Sequence, residues 1–418
     1  KKNNRIYYEG EKMLILSILI TILMIMIIKR IKMEKRIKKT IGIYILIVMA
    51  IIIFSMFNPF GLYKVSDIVY VLWIINVIIF SGVLILRANI MSMKSKKEKT
   101  EVNGLTQKIL KSRIILYAQI ILSLILVFYS FKFNLIVNSI EDAAQIRMAK
   151  FTLLFSSYTE NVFYNYIITC LYKAMTIITS ILIVNKKIKN PITIIGVINV
   201  LLYSSIGYGR MNLYEFLLFI LFAYIFCNEQ KIIKKSKKDI IKFIVIVIIV
   251  FVVGVCATAI RTGVKITDVD ELYNKILKEQ IEQIAIYFTG GFRALDIFLQ
   301  NGFEGIEKYT LGRATFAGID EILEIFFTIF GKKYVGFNSM VGGITQASII
   351  IGNNVTFNAF YTCLMNYISD FGYAGVIICP ILYGNFVFYC IKNGIENNNI
   401  ISKVLLIYVL MNTISTIY

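Results

Sequence analysis

Residues 13–57 read MLILSILITILMIMII KRIKMEKRIKKT IGIYILIVMAIIIFSMF: two apolar runs, Met13–Ile28 and Ile41–Phe57, around a stretch holding seven Lys or Arg. An apolar run of 16 or 17 residues approaches the length a helix needs to cross about 30 Å of hydrocarbon. Lipid offers no partner to backbone N–H and C=O groups, so each run must be a helix, the alternation of a barrel strand being absent. The basic stretch between the runs marks one side of the membrane by the positive-inside rule.

Working outward, the same unit recurs. Apolar blocks of 16 to 22 residues alternate with short loops, and 58% of the 418 residues are hydrophobic. Ten spans are expected, at about 13–28, 41–57, 68–86, 114–131, 162–184, 191–206, 212–228, 240–260, 372–391 and 401–418. Loops 29–40, 87–113, 185–190 and 229–239 form the lysine-rich set, with clusters such as Lys94 to Lys99 and Lys234-Lys235-Ser236-Lys237-Lys238, and loop 392–400, which holds Lys392, joins them by alternation of the spans. The alternating loops 58–67 and 207–211 hold one basic residue each, so the first set is read as cytoplasmic. The fold class is therefore all-α, a polytopic integral membrane protein of about 10 transmembrane helices with one large extracytoplasmic loop. Its expected parts are N-terminal spans over 1–260, the loop over 261–371 and C-terminal spans over 372–418. Lys1, Lys2, Arg5 and Lys12 fall on the outer side in this scheme, against the rule; a further upstream helix, giving 11–12 spans in an untrimmed chain, removes the conflict. No signal-peptide cleavage site follows Met13–Ile28.

Within the long loop, Ile284–Leu299 and Ile319–Phe330 are apolar but short or interrupted by Arg293, Asp296, Glu321 and Glu324, which suits interfacial or re-entrant helices. The net charge of +20 sits mostly in loops beside apolar blocks, where anionic lipid accounts for it, and no basic stripe with aromatic interleaving points to nucleic acid. Six cysteines lie scattered in apolar segments without a CxxC pair and read as small core residues. The chain has no histidine, which removes imidazole bases and His-ligated metals; neither a metal nor another cofactor is expected.

Three arginines fall at or just beyond outer span ends: Arg210 in Gly-Tyr-Gly-Arg, Arg261 in Ala-Ile-Arg-Thr-Gly and Arg293 in Gly-Gly-Phe-Arg. Guanidinium groups grip phosphate bidentately and stay charged, so outward arginines beside glycine-opened backbone suit a lipid diphosphate; snorkelling to head groups is the plainer alternative. Arg313 in Leu-Gly-Arg is a fourth candidate. Glu215, Asp296, Glu321, Glu324 and Asp370 are acids in or near apolar segments, where a carboxylate must be paired or functional. Glu215 follows Arg210 closely enough to pair with it, and Lys173, alone in its span, suits the role of a buried partner for an acid elsewhere. Asp370-Phe371-Gly372 matches a kinase triplet without any other kinase signature, and the sequon Asn354-Val355-Thr356 carries little in a chain with the Ile/Lys/Asn bias of an AT-rich bacterial genome.

Asn358-Ala359-Phe360-Tyr361-Thr362, followed by Asp370-Phe371-Gly372-Tyr373-Ala374-Gly375, resembles the Asn-x-Phe-Tyr-Thr and Asp-Phe-Gly-x-x-Gly signature of the O-antigen polymerase (Wzy-like) family of oligosaccharide repeat-unit polymerases. Gly207–Arg210 before an apolar helix, and Tyr287-Phe288-Thr289-Gly290 early in the loop, resemble two further segments of that family. The resemblance implies a GT-C-like, inverting, metal-independent membrane glycosyltransferase. Such an enzyme joins undecaprenyl-diphosphate-linked repeat units into capsular, O-antigen-like or exopolysaccharide chains at the outer face of the bacterial cytoplasmic membrane. It further implies that Arg210, Arg261 and Arg293 hold the donor diphosphate, that Asp370 serves the acceptor hydroxyl with Asp296 and Glu324 in reserve, and that Arg313, Asn358, Tyr361 and Thr362 contact substrate. The partners implied are the lipid-linked donor and acceptor, membrane lipids, a chain-length regulator and a flippase. The absence of histidine departs from the related ligases, which depend on one in the external loop. A flippase of lipid-linked oligosaccharides is the rival reading; it would more often show two similar halves with polar residues at midplane in each.

Overall fold

The computed structural model describes residues 2–94, 104–138, 153–206, 211–227, 252, 278–301, 309–345, 348–353, 355–357, 362–396 and 399–415. Helix dominates them. In chain order the elements are α1 (Lys2–Arg30), α2 (Lys35–Met56), α3 (Asp67–Lys94), α4 (Leu105–Lys111), α5 (Arg113–Val137), α6 (Tyr158–Val184, with a π turn at Phe163–Ile168), α7 (Pro191–Ser205) and α8 (Met211–Cys227). They continue with α9 (Lys278–Asn301), α10 (Ala317–Ile329), α11 (Phe337–Thr345), strands β1 (Ile349–Gly352) and β2 (Val355–Phe357), α12 (Cys363–Phe371), α13 (Gly375–Glu396) and α14 (Ile400–Ser415).

Six helical stretches are long and apolar enough to cross a membrane: Lys12–Arg30, Lys35–Met56, Asp67–Met91, Arg113–Val137, Tyr158–Val184 and Cys363–Glu396, the last running through α12 and α13. Pro191–Ser205, Asn212–Cys227 and Ile400–Ile414 are shorter apolar helices. Nine of the ten expected spans thus correspond to helices among the described residues, and 240–260 lies almost wholly outside them. Their surfaces carry the same message as their lengths. On α1 the side chains of Ile15, Leu19, Ile22 and Leu23 are bare, an apolar face that water would not tolerate and lipid solvates. Hydroxyls in the spans turn back onto their own helix: Ser17 Oγ donates to the Met13 carbonyl, and Thr176 Oγ1 to that of Tyr172.

The chain divides into two compact units that interleave in sequence: 1–97 with 282–389 and 413–418, and 98–281 with 390–412. In the second unit, α5, α6 and α7 are joined by a buried polar network. Asn199 Nδ2 donates to Gln119 Oε1 at 2.7 Å, and Gln119 Nε2 donates to Thr179 Oγ1 at 3.2 Å. Such side-chain bonds hold membrane helices where apolar burial gives no drive. Tyr172 and Tyr203 stack beside it with ring centroids 3.8 Å apart.

In the first unit, the α2–α3 connection carries a small superstructure. The antiparallel β1–β2 hairpin, which the expected all-helical pattern does not include, docks on it: the Tyr63 N–H donates to the Ile351 carbonyl and the Asn353 N–H to that of Gly61. Leu62, Ala294, Ile351 and Phe357 close a small apolar core there. Phe292 of α9 packs against Tyr70 and Trp73 of α3, with centroids 6.0 and 5.7 Å away. This assembly sits at the end of α2 and α3 remote from the α1–α2 lysine cluster. Of the cysteines, Cys227, Cys379 and Cys390 are buried and Cys363 is half-buried, but Cys170 is exposed on α6, which corrects its reading as a core residue; Cys256 lies outside the described residues.

Candidate functional site

Three carboxylates and two arginines organise the segments of the first unit between α9 and α13, two of the five side chains tying α9 to the α2–α3 connection. α9 places Arg293 and Asp296 three residues apart, hence on one face. Arg293 Nε donates to the Tyr63 carbonyl at 2.8 Å; Nη1 donates to Ser55 Oγ and the Thr289 carbonyl; Nη2 donates to the Ser55 carbonyl and Asn58 Oδ1. All five N–H groups are occupied, and the residue is 2% exposed. This corrects the outward-facing Arg293 expected from sequence: the guanidinium gathers the carbonyls freed at the end of α2 and has no N–H left for a phosphate. Asp296 accepts from the Ser66 N–H at 2.9 Å and from the Ser66 hydroxyl, so its charge sits at the N-terminus of α3. Both of its oxygens are engaged by Ser66.

Asp370, completely buried, does comparable work on the turn at 309–316. Its Oδ1 accepts from Thr310 Oγ1 at 2.5 Å and the Ala314 N–H at 3.0 Å; its Oδ2 accepts from the Thr315 N–H at 2.6 Å. The turn contains Tyr309 and Leu311 at φ of +146° and +49°, conformations costly for residues with a Cβ, and the carboxylate offsets that strain. The rest of the motif has backbone reasons. Gly372 stands at φ +60° and ψ −153°, a region open essentially to glycine. A Cβ at Gly375 would strike the Tyr367 carbonyl. Asp370, expected from sequence to serve the acceptor hydroxyl, holds three donors of the turn from the end of α12, and the helix that contains it begins at Cys363, before the span start expected at 372.

The clamped turn presents Arg313. Its Nε donates to Asp320 Oδ1 at 3.1 Å, and its Nη2 to Asp320 Oδ2 and the Val335 carbonyl. The guanidinium carbon lies 5.2 Å from the Tyr334 ring centroid. Nη1 meets no acceptor among the described residues, and the side chain is 33% exposed. Asp320, which does not stand out in the sequence, is the hub: it also accepts from the Tyr334 hydroxyl and from the Phe337 N–H. Burial alone would raise the Asp320 carboxyl, but the bonds from Tyr334, Arg313 and Phe337 outweigh it and hold it below the usual aspartate range. The same bonds push Arg313 and Tyr334 upward.

α10 has two contrasting faces. Asp320, Glu321 and Glu324 turn inward, Glu321 accepting from Asn338 and Glu324 from the Ser339 hydroxyl. Ile319, Ile322, Phe326 and Ile329 are bare on the opposite face. Thirteen residues rise about 20 Å, too short to span, so a helix with this division suits an interfacial position. Glu324 is accordingly engaged in structure. Thr362 caps the start of α12 in a buried position, its hydroxyl without a partner among the described residues. Arg210, Arg261, Asn358 and Tyr361 lie outside the described residues. Glu215 pairs with Lys173 at 3.6 Å, joining α8 to α6 in the second unit, so Lys173 does meet an acid on another helix, although both side chains are half-buried and not buried.

Compared with protein-family models, curated proteins and solved structures, the chain matches none of them. The functional reading therefore rests on the residues themselves. The signal for Asp320 is faint but present: acids at 320, 321 and 324 share one helical face opposite a run of Ile and Phe.

Proposed function

We propose that the protein polymerises undecaprenyl-diphosphate-linked oligosaccharide repeat units at the outer face of a bacterial cytoplasmic membrane, as a membrane-embedded glycosyltransferase. The lysine-rich helix ends are taken as cytoplasmic, which puts the α9–α12 assembly on the outer side. The observation that carries the reading is Arg313. It is a permanently charged guanidinium, oriented on one edge by Asp320 and open on the other, beside a helix whose bare apolar face fits the membrane interface. A lipid-linked diphosphate is an anion at that depth, and neutralising it as the glycosyl–phosphate bond breaks is the electrostatic help such a transfer needs. In this assignment Arg313 takes the role expected of Arg293 from sequence, with Arg210 and Arg261 as further diphosphate contacts. Asp370 and Arg293 hold the cap in shape.

Purified protein incubated with synthetic undecaprenyl-diphosphate repeat units and a chelator is expected to extend them. The Lys173–Glu215 ion pair between spans favours the rival, a flippase of the same lipids, since intramembrane charges often mark a transport path. No extension, together with passage of the lipid across vesicles, would replace the polymerase reading by that one.

A further inference from the structure

A second site lies at the opposite end of α1 and α2. A crevice of about 310 Å³ opens between the two helices, with Ile25, Gly42 and Leu46 on its walls and Lys29, Lys35 and Lys38 at its mouth. Its lining is almost wholly apolar, the stems of Lys29, Lys35, Lys38 and Lys39 included, so a hydrocarbon chain suits the slot while cationic side chains border it.

The local sequence accounts for the shape. Lys38 reaches back across the α1–α2 turn, its Nζ donating to the carbonyls of Lys29 at 2.7 Å and Ile31 at 3.3 Å, which closes the end of α1 and ties it to the start of α2. Lys29 and Lys35 are exposed, and their ammonium groups meet no acceptor among the described residues. Glu34, the acid in the turn, is engaged with Arg36 at 3.5 Å. Gly42 leaves the slot: a Cβ built there would meet nothing within 4 Å, although the residue lies in mid-helix, where glycine costs stability.

We infer that this crevice binds one anionic phospholipid, its phosphate held by Lys29 and Lys35 and an acyl chain lying along Gly42 and Leu46. Two exposed lysines whose ammonium groups meet no acceptor among the described residues, beside an apolar slot, match a head group of negative charge joined to a hydrocarbon chain, and the lysine-rich side of a membrane is where such lipids concentrate. The site is separate from Arg313 and does not depend on the polymerase reading.

The test is native mass spectrometry of the full chain in detergent, with phosphatidylglycerol and phosphatidylcholine of identical chains. Wild type is expected to retain phosphatidylglycerol preferentially. Lys29→Gln with Lys35→Gln should lower that retention by about 25-fold, roughly fivefold per lysine near an anionic surface, and leave phosphatidylcholine unchanged. Gly42→Leu, which enters open space and improves helix propensity, should lower retention with both lysines intact. Deacylated glycerophosphoglycerol at millimolar concentration should displace nothing. Equal retention of the two lipids, full retention by either variant, or displacement by the deacylated head group would each overturn the assignment, with matched melting curves showing that the variants fold.

Discussion

Arg293 and Arg313 belong to the same unit and to the same long segment of sequence, and both lie close behind glycine, yet the fold treats the two guanidinium groups in opposite ways. Arg293 spends every N–H on the protein, four of its five bonds reaching the end of α2 and its connection to α3. Arg313 has one edge fixed by Asp320, and its Nη1 meets no acceptor among the described residues. The difference teaches that the position of an arginine along the chain says little about its role, whereas its count of unused donors says much. A saturated guanidinium is a structural bolt; one that is oriented and half-used can take an anion.

The contrast should be visible first in stability. Arg293→Ala leaves the α2 terminus with unpaired buried carbonyls and should cost about 3 kcal/mol or more, read as the shift in unfolding in detergent. Unaltered unfolding would place the guanidinium outside the network. Asp370→Asn removes the charge facing two N–H groups and a hydroxyl; a loss of about 2 kcal/mol is expected, with faster amide exchange confined to 309–316. Uniformly faster exchange would mean that the turn is not what Asp370 holds.

A pH titration sharpens the Arg313 side of the comparison. The folded Asp320 carboxyl lies below its unfolded value of about 3.9, so its contribution is complete above that value and is lost as pH falls through the folded one. Stability should therefore decline on acidification below about pH 4, and Asp320→Asn should flatten that part of the curve. An identical acid limb in the variant would remove Asp320 as its source. Smallest of all should be the cost of Arg313→Gln, under about 1 kcal/mol, because a partly exposed ion pair is screened by water.

The spans are legible in the sequence because lipid imposes a length and a composition on each of them, and Met13–Ile28 already has both. What lies between is harder. The run Ile349-Ile350-Ile351-Gly352-Asn353-Asn354-Val355-Thr356-Phe357 is β-branched on both sides of a Gly-Asn-Asn stretch and pairs as a hairpin, but strands of three and four residues give no periodicity that stands out beside long helices. Asp370, Gly372 and Gly375 stand out in the sequence, and the structure gives each of them a backbone reason. Their spacing cannot reveal that the aspartate is consumed by the turn at Thr310 to Thr315, since that contact joins residues some sixty positions apart. Asp320 escapes for a related reason: its partners Arg313, Tyr334 and Phe337 all lie outside α10, across turns on both sides of it whose course the sequence does not give.

The most direct measurement is chain extension of undecaprenyl-diphosphate repeat units by Arg313→Gln and Arg313→Lys, using protein whose melting matches wild type. The expected result is loss of polymer with glutamine and partial extension with lysine, which keeps the charge without the fork that Asp320 orients. Polymer of wild-type length and rate from Arg313→Gln would contradict the open guanidinium as the group that takes the diphosphate.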